Sequence, residues 1–334
     1  MNIFHYEKTR ILKRFCYFIG VILAAFFSFS CEAPRSNPLD PLNPQNDLGT
    51  INGVVKTSSL PFTGIADVSV YMPSADVLVK TDQGGNFTIS NVPAVSGVLI
   101  FQKEGYRVDT LNIDWNNARE FEPVVNLNSI PVLGSLYVFT SVINQPNSNQ
   151  SYGLNVQAKV TDKDNNIDSV LVSNSKLGVT RKLTYNSFQN DYEISITPAE
   201  LNVSNLEQTI GLDFNIVAYD KFKNSYQLGS GKVVRVINSQ LNIVSPANSA
   251  HVTSTPTLTW QKFTATYPFT YTVEVYSNGV ANQNKIISQT GISSDATSYT
   301  ITNALASQNY YWVVLVVDSF KNNERSEPAT FSVN

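Results

Sequence analysis

From residue 48 onward apolar side chains recur at every second position, and no segment carries an apolar stripe at i, i+3, i+4 and i+7 for three turns. Val68, Val70 and Met72 alternate with Asp67, Ser69 and Tyr71. Leu154, Val156, Ala158 and Val160 alternate with Asn155, Gln157, Lys159 and Thr161, and Leu212, Phe214, Ile216 and Ala218 alternate with Asp213, Asn215, Val217 and Tyr219. Successive side chains of a strand point to opposite faces, so each run predicts a strand with one buried and one wet face. Pro198-Ala-Glu-Leu201 allows a short helical turn at most. Many short strands separated by turn residues bury their apolar faces sheet against sheet, and the expected class is all-β, built from antiparallel β-sandwiches.

At about 100 to 200 residues per domain, 334 residues make two or three domains, each large enough to bury a core without a disulfide or a metal. An internal echo sets the boundaries. Asp220-Lys-Phe-Lys-Asn224 recurs as Asp318-Ser-Phe-Lys-Asn322, each after an apolar strand and before a last strand. The 98-residue spacing matches one immunoglobulin-sized sandwich of about 100 residues. It predicts two such domains in tandem, residues 131–238 and 239–334, after a different unit over 48–130.

That first unit carries Gly53-Val-Val55, Gly64-Ile-Ala-Asp-Val-Ser-Val70, Thr81-Asp-Gln-Gly-Gly-Asn-Phe-Thr-Ile89 with Val92-Pro93, and Gly105-Tyr106. It resembles the carboxypeptidase regulatory-like domain, a transthyretin-type member of the carbohydrate-binding-like folds. Asp82 to Gly85 supplies a turn in which glycine tolerates positive φ. The last domain resembles a fibronectin type III module, with Pro256–Trp260, Phe269–Val275, Ser298–Ile301 and the strand through Tyr310 to Val314 as its strands. Trp260 and Trp312 are expected in its core, and either Tyr310 or Tyr311 is its inward tyrosine. Residues 131–238 resemble an immunoglobulin-like domain in general form.

Ahead of these units, Lys8, Arg10, Lys13 and Arg14 precede the apolar run Phe15–Phe29 and the small Ser28 and Ser30, the pattern of a secretory signal over residues 1–30. The run is shorter than the roughly 20 residues of a spanning helix. Of two cysteines, Cys16 lies inside the signal and Cys31 directly follows it, so the exported chain can form no internal disulfide. A lone cysteine there resembles the start of a bacterial lipoprotein, which implies lipidation of Cys31 and anchoring in the cell envelope, expected at the outer membrane. Ser28 and Phe29 stand where a lipoprotein signal commonly has Leu and a small residue, which leaves cleavage to a soluble product as the alternative. Residues 31–47 hold Pro34, Pro38, Pro41 and Pro44, an extended tether reaching up to roughly 50 Å at about 3.1 Å per residue.

Only 15 % of the residues are charged, and without residues 1–30 there remain 19 Lys and Arg against 25 Asp and Glu, a net charge of −6. That balance gives no general attraction to phosphate backbones, so no nucleic-acid partner is expected. His251 is the single histidine after the signal. It sits in a loop without a second histidine or a cysteine for a triad or a zinc site, so the chain is expected not to be an enzyme and to carry no cofactor. In Asp162-Lys-Asp-Asn-Asn-Ile-Asp168, Asp162, Asp164 and Asn166 have the alternate spacing of calcium ligands, with Asp168 beyond them. Ile167 at the glycine position and Ser173 at the bidentate-Glu position exclude an EF-hand. The plain reading is a hairpin turn with no metal; calcium is the alternative. Of the surface aromatic candidates Tyr71, Tyr106, Trp115 and Tyr276, the pair Tyr106 and Trp115 beside the Asp82–Gly85 turn is the expected place for ligand contact.

The function these features predict is a non-catalytic, envelope-anchored lipoprotein, held to the membrane by its N-terminal lipid. Its sandwiches would act as spacer and binding module for a protein or polymer partner. A glycan-binding accessory lipoprotein of a carbohydrate uptake or degradation system is one alternative. The other is an unrecognised hydrolase, whose paired carboxylates converge only in the fold.

Overall fold

The computed structural model describes residue 43 and residues 48–116, 118–277 and 284–334. The expected signal, Cys31 and all of the expected tether except residue 43 lie outside the described residues. No α-helix occurs among the described residues, and none of their helices is long and apolar enough to cross a membrane; two short 3₁₀ turns, Pro146–Ser148 and Leu206–Thr209, interrupt the strands. The chain is all-β and its strands form sandwiches around three hydrophobic cores. The described residues divide into two compact units, one of residues 48–57 and 61–127 and one of residues 58–60 and 128–334.

In the first unit Leu48–Thr57 lies between Asn86–Pro93 and the short strands Glu120–Phe121 and Val124–Leu127. The facing sheet is Val77–Lys80, Ser69–Met72, Gly97–Gln102 and Asp109–Ile113. Alternation places Ile51, Val55, Phe87 and Ile89 of one sheet against Val70, Met72, Leu99 and Phe101 of the other. Each such side chain fully removed from water contributes about 1.5–3 kcal/mol. One feature departs from the antiparallel expectation: Leu48–Thr57 runs parallel to both closing strands, with Thr50 opposite Glu120 and Val54 opposite Val124. At Gly85 the backbone takes φ 82°, and a Cβ there would lie 2.2 Å from the Val55 carbonyl oxygen, so the turn requires glycine.

The second unit holds two cores. Leu154, Val156 and Ala158 meet Val170, Val172, Phe214, Ile216 and Ala218 in the first. Trp260, Tyr271, Val273, Tyr310, Trp312 and Phe331 dominate the second. Tyr310 is the inward tyrosine, 1 % exposed, and its hydroxyl donates to the Ala306 carbonyl at 2.8 Å. Leu154, Phe214, Trp260 and Tyr271 are buried as their alternation predicts. Of their polar neighbours Asp213 is exposed, whereas Asn155 and Thr259 are half-buried. His251 lies on the short strand Ala250–Val252 rather than in a loop, with Nδ1 2.8 Å from Ser332 Oγ.

One ten-stranded sheet runs through both cores of this unit. Thr184–Asn186, Asp191–Ile196, Asn149–Thr161 and Val132–Gln145 belong to the first core, and Asn309–Asp318, Phe269–Ser277 and Lys285–Ile292 to the second. Ala329–Val333 and Ala250–Val252 extend the second half. The join is the three-residue strand Asn323–Arg325, antiparallel to Asn309–Asp318 and parallel to Val132–Gln145, with Asn323 opposite Ser141 and Arg325 opposite Ile143. Short connections alone are expected between tandem sandwiches; here backbone hydrogen bonds couple the two directly.

Candidate binding sites

The turn Asp82–Gly85 is built by one carboxylate. Asp82 Oδ1 accepts from the backbone of Gly84 and of Asn86, each at 2.8 Å, and from Asn86 Nδ2 at 3.1 Å. These donors, the Asn86 backbone foremost, hold the carboxyl below the ordinary aspartate range. The aromatic pair expected beside it does not form a stacking platform. Trp115 is a core residue, 5 % exposed, and its indole N–H donates to the Val95 carbonyl at 3.0 Å. Its ring lies 6.4 Å from that of Phe121. It also fills the space beside Gly49, where a Cβ would lie 2.4 Å from the ring. The cause is visible in the alternation Leu111, Ile113, Trp115, which carries the inward face of Asp109–Ile113 past the end of the strand. Tyr106 is half-buried and packs against the same core. Tyr71 donates to Asp76 at 3.1 Å. Tyr276 stacks on Tyr311 at 4.7 Å with the rings 2° from parallel, so each covers a face of the other. Burial and the Glu274 carboxylate raise the Tyr276 phenol well above its ordinary range.

The loop 162–168 does not gather its three aspartates. Asp168 is exposed and pairs with Lys223 at 3.2 Å. Asp162, Asp164 and Asn166 instead converge on Asn128 and Ser129 of the same unit. Asp162 Oδ1 accepts from Ser129 Oγ and its Oδ2 from the Asn166 backbone at 3.2 Å. Asp164 Oδ2 accepts from the Ser129 backbone at 2.6 Å and from Ser58 Oγ, in the same unit, at 2.9 Å. Asn166 Nδ2 donates to Asn128 Oδ1 at 2.6 Å and to Ser58 Oγ at 3.4 Å. Asn128 Nδ2 in turn donates to Asp220 Oδ2 at 2.7 Å. Burial pushes the Asp220 carboxyl upward, but donation from Asn224, Tyr226 and the Phe222 backbone outweighs it and leaves the group below its ordinary range. Among the described residues no three carboxylate, histidine or cysteine side chains group as metal ligands.

Sequence reasoning did not find the third feature, a cleft of about 570 Å³ in the second unit. Six carboxamides line it: Asn144, Gln150, Asn238, Gln240, Asn242 and Asn248. Gln150 Nε2 donates to Asn144 Oδ1 at 2.7 Å and to Asn238 Oδ1 at 3.2 Å, so part of the wall is pre-arranged. A carboxamide donates and accepts, which suits hydroxylated ligands, and the exposed Glu327 adds one carboxylate to the lining. The lining contains no aromatic ring. The run Ile237-Asn-Ser-Gln-Leu-Asn242 was the available signal, a polar stretch punctuated by two residues that turn out buried, Ile237 and Leu241.

No protein-family model matches the chain, and no curated protein matches it. Among solved structures it is similar to fibronectin(III)-like modules of Clostridium thermocellum CbhA, at 15 % identity over 61 % of this chain and 93 % of that one with a TM-score of 0.28. It is also similar to the chicken CNTN1 FN1–FN3 domains, at 8 % identity over 86 % and 98 % with a TM-score of 0.30. A third is BcpA, the major pilin subunit of Bacillus cereus, at 8 % identity over 86 % and 96 % with a TM-score of 0.26. Identities and scores this low carry no function, and the fold assignment rests on the strands and cores above.

Proposed function

We propose that the protein is a non-catalytic lipoprotein of the bacterial cell envelope, anchored at the outer membrane through acylated Cys31, whose sandwiches serve as spacer and binding module for a protein or polymer partner. The observation that supports the spacer role is the sheet shared by both cores of the second unit. A flexible linker would let successive modules swing independently, whereas a backbone ladder backed by buried polar ties transmits position from one to the next. Stable anchoring needs more than one acyl chain, since a single chain binds only marginally. Mass spectrometry of the protein isolated from native membranes tests the anchor: the expected N-terminal peptide begins at Cys31 and carries several acyl chains. An unmodified Cys31, or a start elsewhere, overturns it.

Glycan capture is the second reading, favoured by the carboxamide-lined cleft. It predicts binding of the full chain to neutral polysaccharides on a glycan array, lost in Asn242→Ala combined with Asn238→Ala. Unchanged binding in that double variant moves the site away from the cleft.

A further inference from the structure

Asp164 is 5 % exposed and Asn166 is 1 % exposed, and one oxygen of each, Asp164 Oδ1 and Asn166 Oδ1, is buried without a hydrogen-bond partner. A carboxylate taken out of water needs a cation or a full set of donors, and Asp164 has donors only on Oδ2. Among the described residues no ion pair reaches Asp164, and Lys223 of the neighbouring turn is engaged on Asp168. The two side chains that carry these oxygens share one hydroxyl, Ser58 Oγ lying 2.9 Å from Asp164 Oδ2 and 3.4 Å from Asn166 Nδ2.

We propose that the loop Asp162–Asn166 and residues 128–129 bind a calcium ion, with Asp164 Oδ1 and Asn166 Oδ1 as protein ligands and Asp162 as the second carboxylate. Calcium accepts carboxylate, carboxamide and backbone oxygens in flexible geometry at 2.3–2.6 Å, a donor set this loop offers and zinc does not favour. The alternate spacing of 162, 164 and 166 is how a tight loop turns three oxygens toward one centre. Two carboxylates rather than three or four place the affinity at the weak end of calcium sites, about 10⁻⁴–10⁻³ M, where extracellular modules operate. The ion would fix Asn128 and Ser129, the first residues of their sandwich, to the turn that carries Asp220.

Calorimetric titration of calcium chloride into the chelator-treated full chain, with the melting temperature followed in parallel, tests this. One ion is expected to bind, with a saturating rise in melting temperature that magnesium at the same concentration does not give. Asp164→Asn and Asp162→Asn are each expected to weaken calcium binding about tenfold or more, while Asp168→Asn binds as the parent does. If Asp164→Asn fails to fold, the half-buried Asp162→Asn carries the test. No heat and no shift up to about 10 mM calcium, ten times the weak end of that range, overturns the site. So does equal stabilisation by magnesium, or binding retained in both loop variants.

Discussion

Trp115 and Asp82 belong to the same unit and do different work there: one closes a core, the other closes a turn. Removing the indole in Trp115→Ala opens a cavity beside Gly49 and strands the Val95 carbonyl, and the expected cost is about 3–5 kcal/mol. Denaturant unfolding of the full chain checks it, because a ring used only for ligand contact would leave the midpoint where it was. For Asp82 the prediction is one of pH. Its folded carboxyl titrates below the unfolded value of about 3.9, so its stabilisation is fully present above that value and disappears as the pH falls through the folded one. The melting temperature of the parent chain is therefore expected to exceed that of Asp82→Asn at pH 6 to 7, with the gap closing below about pH 4. A gap independent of pH would show that the carboxylate charge contributes nothing to the turn. The turn itself was legible from its glycines. The place of Trp115 was written in the alternation Leu111, Ile113, Trp115, but a tryptophan beside a turn of polar residues also reads as a surface ring, and only the distant Val95 carbonyl separates the two.

At the scale of elements, the repeated Asp-x-Phe-Lys-Asn segments prove to be the same turn used twice. In each, the aspartate N–H donates to the asparagine carbonyl, the asparagine side chain and backbone N–H donate back to the carboxylate, and the lysine sits at positive φ, 67° at Lys223 and 70° at Lys321. In each, the Oδ2 that accepts from the asparagine side chain also holds the segment leading into its own sandwich: Asp220 takes Asn128, and Asp318 takes Arg235 in an ion pair. Asn322 adds a second tie, accepting from the Thr140 backbone at 2.9 Å and from its hydroxyl at 3.2 Å. The period of this repeat was readable; its use was not. Asp318, Asn322 and Glu324 look like a solvated loop, yet they are 6 %, 0 % and 0 % exposed because Val132–Gln145 lies over them. The strand Asn323–Arg325 has no apolar residue to alternate, and only its partners' hydrogen bonds make it a strand. Arg235→Ala leaves Asp318 buried without its cation, and the expected loss is about 3 kcal/mol, the low end for such pairs because the guanidinium is one-quarter exposed. Equilibrium unfolding in urea measures it, and a loss below about 1 kcal/mol, the range of a surface pair, would deny the join its buried ion pair.

Across the second unit, the two cores are expected to melt together. Asn144 donates to Glu324 at 3.0 Å and to the Arg325 carbonyl at 2.9 Å, the Ser239 backbone donates to Glu324 at 2.8 Å, and Lys321 Nζ rests 3.6 Å above the Tyr137 ring. Scanning calorimetry should give one transition for residues 128–334 in the parent chain, and two when Asn144→Ala is combined with Arg235→Ala. Two transitions already in the parent would mean that the shared sheet does not couple the cores. The parallel ladder at Ser141–Ile143 also decides what happens when the chain is cut. A product ending near residue 238 would keep a complete first core of this unit and yet expose three residues of unpaired backbone along Val132–Gln145, a strand of 14 residues. An open strand edge recruits other edges. Such a fragment is expected to self-associate, so a protease acting at this join would convert a well-behaved module into a template for aggregation.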